Sequence, residues 1–267
     1  MWTLFFRYLR DRRIFIIVFC VAAIATMWMY IALFPSMQQQ SATLNEAFKS
    51  YPESLMKAFG IESLTFNRIE NFIAMEYFSI IWPLMAIFLG ISLASGAVAR
   101  EVEKGTIELV LARPVSRLKL FGSRYLAGLS ALVLFTLLST FCVIPIAAIH
   151  HVDYALRNFV TVAILGLLFA WATFSLSMML SAFFSDKGKV SMSVGGLLVL
   201  MYVLNIVAAL KANLKDLQYA SFFHYFASSN ALIKNMLTVE SVWVFIAVAV
   251  VCTAIGSWRF KQRDVAV

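Results

Sequence analysis

Six stretches of this chain run for at least 17 residues without a charged side chain or a histidine: residues 14–34, 77–99, 125–149, 159–184, 190–210 and 242–258. A hydrocarbon core of about 30 Å is crossed by roughly 17–25 helical residues, or by a tilted strand of about 10. Inside that core no water can satisfy a backbone N–H or C=O, so only helices and closed barrels span it. Runs of this length predict helices. The chain is therefore expected to be an all-α integral membrane protein with six transmembrane helices, forming a single transmembrane domain over residues 1–267. Composition agrees: 62% of residues are hydrophobic and 13% charged, against about 25% charged in soluble domains.

The charged residues then set the topology. Alternating the six spans places residues 1–13, 99–124, 185–189 and 259–264 on one side of the membrane. That side holds 15 of the 22 Lys and Arg, and the loops 35–76, 150–157 and 211–241 hold the other 7. The positive-inside rule puts both termini in the cytoplasm and gives a multi-pass protein of the plasma membrane. The net charge of +8 is accounted for by topology and anionic lipid, and no nucleic-acid partner is expected. Trp2, Phe5, Phe6 and Leu9 recur at helical spacing against Arg7, Arg10, Arg12 and Arg13. This reads as an amphipathic interfacial helix, the alternative being a plain basic flank of the first span. Ala23-Ile24-Ala25 resembles a signal-peptidase site, but the apolar run continues to Phe34, longer than the 7–15 residues or so of a cleaved signal. An uncleaved first span is expected.

Between the spans, the outer loops 35–76 and 211–241 are long enough to carry structure of their own. Phe222, Phe223, Tyr225 and Phe226 suit the interface or a short helix re-entering the membrane from the outer face. Pro83 is expected to kink the second span, and Gly90 with Ala94 offers a small-residue face to another helix.

Chemistry is conspicuous mainly by what the spans lack. None carries Asp, Glu, Lys, Arg or His in its interior, and Glu76 sits at the edge of the second. Ion-coupled carriers use intramembrane ionisable groups, so a proton-driven carrier is disfavoured. Gly188-Lys189 lacks the rest of a phosphate-binding loop. There is no nucleophile elbow, no zinc motif, and no paired carboxylates in a plausible pocket. His150 and His151 are adjacent and do not share a helix face. Cys20, Cys142 and Cys252 lie in apolar runs and read as small buried hydrophobes. No catalytic residue, metal or cofactor is assigned to the chain.

The one long charged segment, residues 100–124, lies between the second and third spans. It interleaves Arg100, Lys104, Arg113, Arg117, Lys119 and Arg124 with Glu101, Glu103 and Glu108. Thr106 is a fair N-cap, with Glu108 in the first turn where the helix dipole favours a carboxylate. Ile107, Val110 and Leu111 then share one face. Pro114 ends that helix and can open the next, on which Leu118, Phe121 and Tyr125 line up. This is a cytoplasmic helix–break–helix with an apolar stripe. Patterning leaves two outlets for the stripe, the chain's own spans or another protein.

The run Ser95–Gly128 resembles the loop between the second and third spans of type-2 ABC exporter permeases. The elements that carry the likeness are Glu101 or Glu103, Gly105-Thr106, Glu108-Leu109 with Leu111, and Pro114-Val115-Ser116-Arg117. Phe260-Lys261-Gln262-Arg263-Asp264 is similar to the C-terminal Phe-x-x-Arg-Asp of that class. The resemblance implies a membrane permease for an amphiphilic substrate such as a peptide, lipid or drug. It implies a partner of two ABC ATPase subunits, which carry ATP and magnesium, and a second permease copy or homologue. It also implies a coupling surface that includes Glu101, Glu103, Gly105, Thr106, Glu108, Leu111, Pro114 and Arg117. A non-transporting membrane sensor or scaffold is the competing expectation, and a membrane-embedded enzyme is a weaker third.

Overall fold

The computed structural model describes residues 2–40, 68–99, 103 and 116–263. Among these residues there is no strand, and six helices are long and apolar enough to cross a membrane. They are α1 (Trp2–Gln39), α2 (Ile69–Ala97), α3 (Arg117–His150), α4 (Leu156–Phe183), α5 (Lys187–Leu210) and, after two short helices, α8 (Val239–Gln262). The short helices are α6 (Phe222–Tyr225) and α7 (Ser228–Ile233), preceded by a 3-10 turn over Ala212–Ala220. The amphipathic start of the chain and the first apolar run form one continuous helix, α1.

Two of the helices are irregular for identifiable reasons. In α2 the stretch Ala74–Ile81 is π-helical, and Trp82 N–H bonds back to Tyr77 O. Pro83 follows at once. It has no N–H to offer, and the widened turn just before it accommodates that loss within a helix that runs on to Ala97. The helix also starts earlier than the charge-free run. Ile69 opens it, which brings Glu70 and Glu76 into the helix, where only an edge position for Glu76 was expected. Glu70 is tolerated because it is satisfied. Its Oε1 accepts from Ala155 N–H at 2.7 Å and its Oε2 pairs with Arg68 at 3.3 Å. In α3 the helix is interrupted at Cys142, three residues before Pro145.

α4 is the axis of the bundle. It packs on α8, α2, α3 and α5. Close approach is paid out in small residues. A Cβ on Gly256 of α8 would lie 3.0 Å from Met179 Cα, so α8 touches the backbone of α4. Gly90 of the small-residue face meets Phe174 of α4, within the same chain. Buried hydroxyls add directional contacts between helices, which matter where lipid is as apolar as leucine. The Tyr125 hydroxyl is the hub. Trp171 Nε1 donates to it at 2.7 Å, Thr253 Oγ1 lies at 2.8 Å and Ser175 Oγ at 2.6 Å. That single oxygen joins α3, α4 and α8. Nearer the other end, Trp82 Nε1 donates to Ser139 Oγ at 2.8 Å. Phe226, between α6 and α7, stacks on Trp82 and meets Phe169, wedging the short helices between α2 and α4.

Candidate functional site

Six long helices place their ends at two faces of the bundle. At one face α2, α4 and α8 arrive with their C-termini, while α1, α3 and α5 set out. Every arriving helix has unpaired carbonyls and every departing one unpaired N–H groups, and both need partners. At this face the partners are charged side chains. Arg124, 5% exposed, donates from Nη1 to Ala97 O at the end of α2. Arg263 donates from Nη1 to Ala182 O and Phe184 O, both at 3.1 Å, and from Nη2 to Ser185 Oγ at 2.5 Å, so it closes the end of α4. The Arg263 carbonyl, at the end of α8, accepts from Arg117 Nη1. Tyr8 on α1 donates to Leu93 O. Cations at helix C-termini also meet the negative end of the dipole. Burial, and then the charge of Arg259, push the Arg263 guanidinium below its ordinary pKa. It stays a cation at neutral pH.

The departing helices take carboxylates and hydroxyls. Ser116 Oγ accepts from Lys119 N–H at the start of α3. Asp186 Oδ1 accepts from Gly188 N–H at 2.6 Å and from Lys189 N–H at 3.3 Å. Glu103 Oε2 accepts from Lys187 N–H at 3.1 Å. Two carboxylates from different parts of the chain thus cap α5, one of them belonging to the charged segment 100–124.

Of the residues the sequence singled out for coupling, Glu103 and Arg117 are described. Each makes a long-range contact at this face, Glu103 to α5 and Arg117 to the end of α8. Glu101, Gly105, Thr106, Glu108, Leu111 and Pro114 lie outside the described residues. The second half of the apolar stripe has a definite outlet. Phe121 and Tyr125 are buried in the chain's own bundle, with Phe121 against Phe260 and Tyr125 against Phe174, while Leu118 is exposed. Arg263 and Arg124 are functional candidates that charge counting treated as topology signals. The sequence clue available for Arg263 was its place in the C-terminal Phe-x-x-Arg-Asp. For Arg124 the clue was an arginine flush against an apolar run.

Above this face lies a groove of about 460 Å³ between α1, α2 and α5. Phe15 and Phe19 of α1, Leu84 and Phe88 of α2, and Leu198 and Val199 of α5 make its apolar walls. Lys187 and Ser191 line it from the first two turns of α5, and Ser92 from α2. α5 is the least enclosed of the six helices, with 17% of its apolar window buried, so the groove opens to the outside of the bundle. Lys187 therefore belongs to both features. Its N–H is held by Glu103 and the residue lines the groove.

A family model described as an ABC-2 family transporter protein matches residues 5–265. A comparison with curated proteins gives no match.

Proposed function

We propose a role that starts from one fact: the chain belongs to the family of ABC-2 transporter proteins. It is accordingly the membrane permease subunit of an ABC transporter, a membrane protein that works with an ATP-binding subunit. Within that frame our reading is an exporter in the plasma membrane. Both termini and the segment 100–124 face the cytoplasm, as the 15 to 7 distribution of Lys and Arg supports. Two copies of the ATPase bind ATP and magnesium and dock on this face, while the permease itself performs no catalysis.

A second copy or a homologue covers the exposed side of α5, and the groove between α1, α2 and α5 becomes the path for an amphiphilic substrate. The short helices α6 and α7 form a re-entrant segment at the outer face, supported by the packing of Phe226 on Trp82. The observation that carries the coupling mechanism is the bond from Lys187 N–H to Glu103. It joins the segment that meets the ATPase to the helix that walls the groove. Movement of the segment on ATP binding would then pull on the first turn of α5 without passing through the buried core.

Two experiments test this reading. Affinity purification of the chain from its native membrane should bring an ABC ATPase with it, and purification without one overturns the permease–ATPase assignment. In a background with Cys20, Cys142 and Cys252 replaced by alanine, Val203→Cys on the exposed side of α5 should form a disulfide between copies. Persistent monomer under oxidation would remove the second copy from α5.

A further inference from the structure

We infer that the groove binds an amphiphile with an anionic headgroup, seated on Lys187 and Ser92. This rests on the groove being the transport path and names the chemistry of what travels there.

The groove is not uniformly apolar. Lys187, Ser191 and Ser92 line it toward the basic face, and Ser79 and Tyr202 line it farther along α2 and α5. Lys187 is half-buried, and its ammonium has no hydrogen-bond or ion-pair partner among the described residues. The Ser92 hydroxyl likewise has none. Ser191 is committed, donating to Lys187 O at 3.1 Å. The Arg12 guanidinium lies against Gly96, one turn beyond Ser92 on α2. Among the described residues, the free polar groups at this end are an ammonium and a hydroxyl, and no carboxylate lines the groove.

Two described carboxylates beside the start of α5 are turned elsewhere. Glu103 accepts from Lys187 N–H, and Asp186 from Gly188 and Lys189 N–H, so both are spent on the backbone of α5. A half-buried ammonium beside an apolar wall is costly unless an anion joins it. A phosphate or carboxylate headgroup would accept from Lys187 and Ser92 through charge-assisted hydrogen bonds. Its alkyl tail would lie along Leu84, Phe88 and Leu198. A cationic headgroup would face Lys187 and be repelled. Because the Lys187 backbone is held by Glu103, occupancy of the groove would be felt at the cytoplasmic segment.

The test uses the full chain in phosphatidylcholine nanodiscs and two probes with the same diazirine-bearing twelve-carbon tail. One is an alkyl phosphate and the other an alkyl trimethylammonium. Photolabelled peptides are mapped by mass spectrometry. The phosphate should label α2 and α5 groove peptides about tenfold more than the ammonium, as expected for one charge-assisted contact. Lys187→Gln should erase that preference, Lys187→Arg should keep it, and Lys189→Gln on the exposed turn should leave it intact. Equal labelling by both probes, or a preference that survives Lys187→Gln, overturns the inference.

Competition identifies the source. Displacement by phosphatidylglycerol in the disc means an anionic bilayer lipid occupies the groove, and displacement by dodecyl phosphate alone means a free single-chain amphiphile. Either result upholds the anionic headgroup. The measurement needs no ATP, so loss of the charge preference would leave the permease assignment standing. Failure to purify an ATPase would leave the binding site standing.

Discussion

α4 and α5 are consecutive helices joined by residues 184–186, both charge-free through their apolar cores, yet 67% of the apolar window of α4 is buried and 17% of that of α5. In water such a difference would follow from hydrophobicity. In a bilayer it cannot, because lipid tails solvate leucine as well as a protein interior does. What separates the two helices is directional and steric. α4 presents Thr173, Ser175, Ser177 and Ser181 to the interior, and it lets Gly256 of α8 touch its backbone at Met179. α5 buries Val190, Val194, Leu198 and Ala208, and a Cβ on Gly195 or Gly196 would meet nothing within 4 Å. The core helix is specified by close contacts and hydrogen bonds. α5 leaves Gly195 and Gly196 unused within the chain.

Substitutions at both helices test that contrast. The largest loss is expected from Arg263→Ala, which strips two carbonyls at the end of α4 and Ser185 of their donor. A charge-assisted cap with buried acceptors should cost about 3 kcal/mol. It would be read as a lower melting temperature in detergent and faster proteolysis at residues 184–186, with partial recovery in Arg263→Lys. Gly256→Ala should follow at about 2 kcal/mol, since the added Cβ meets backbone and neither helix can yield cheaply. Tyr125→Phe should cost about 1 kcal/mol, by leaving Trp171 Nε1 without its acceptor.

Glu103→Ala should cost less than about 1 kcal/mol, because it removes one cap from an exposed helix start. Its signature is functional, a several-fold drop in substrate moved per ATP hydrolysed by the complex, and an unchanged ratio would count against the Glu103–Lys187 link. Gly195→Ala should be neutral or stabilising by up to about 1 kcal/mol in the isolated chain. A loss of that size in monomer would mean that α5 is packed as tightly as α4.

Much of the fold was legible residue by residue. The helical class and the six spans followed from charge-free runs, since backbone groups in hydrocarbon must be satisfied within the helix. An irregular turn near Pro83 followed from its missing N–H, and the π-helical stretch ends two residues before it. Two of the residues named for coupling are described. Glu103 and Arg117 were named from the charged segment and both make long-range contacts at the basic face. Arg124 and Arg263 were read as topology charges, and the structure uses them as helix caps. The reason is physical: which carbonyl a guanidinium reaches depends on which helix ends beside it, and that neighbour is distant in sequence. Lys187 was read as part of a short basic turn for the same cause.

The sequence by itself determined that this chain lives in a membrane as helices and how many of them are long enough to span it. These are consequences of solvation along the chain. Tertiary structure alone decided that α4 lies inside and α5 outside, that the Tyr125 hydroxyl binds three helices together, and that Lys187 joins a capped helix start to a groove. Apolar periodicity cannot report such choices where both alternatives, protein and lipid, are equally apolar. They were made by hydrogen-bond geometry and by how closely two backbones can approach.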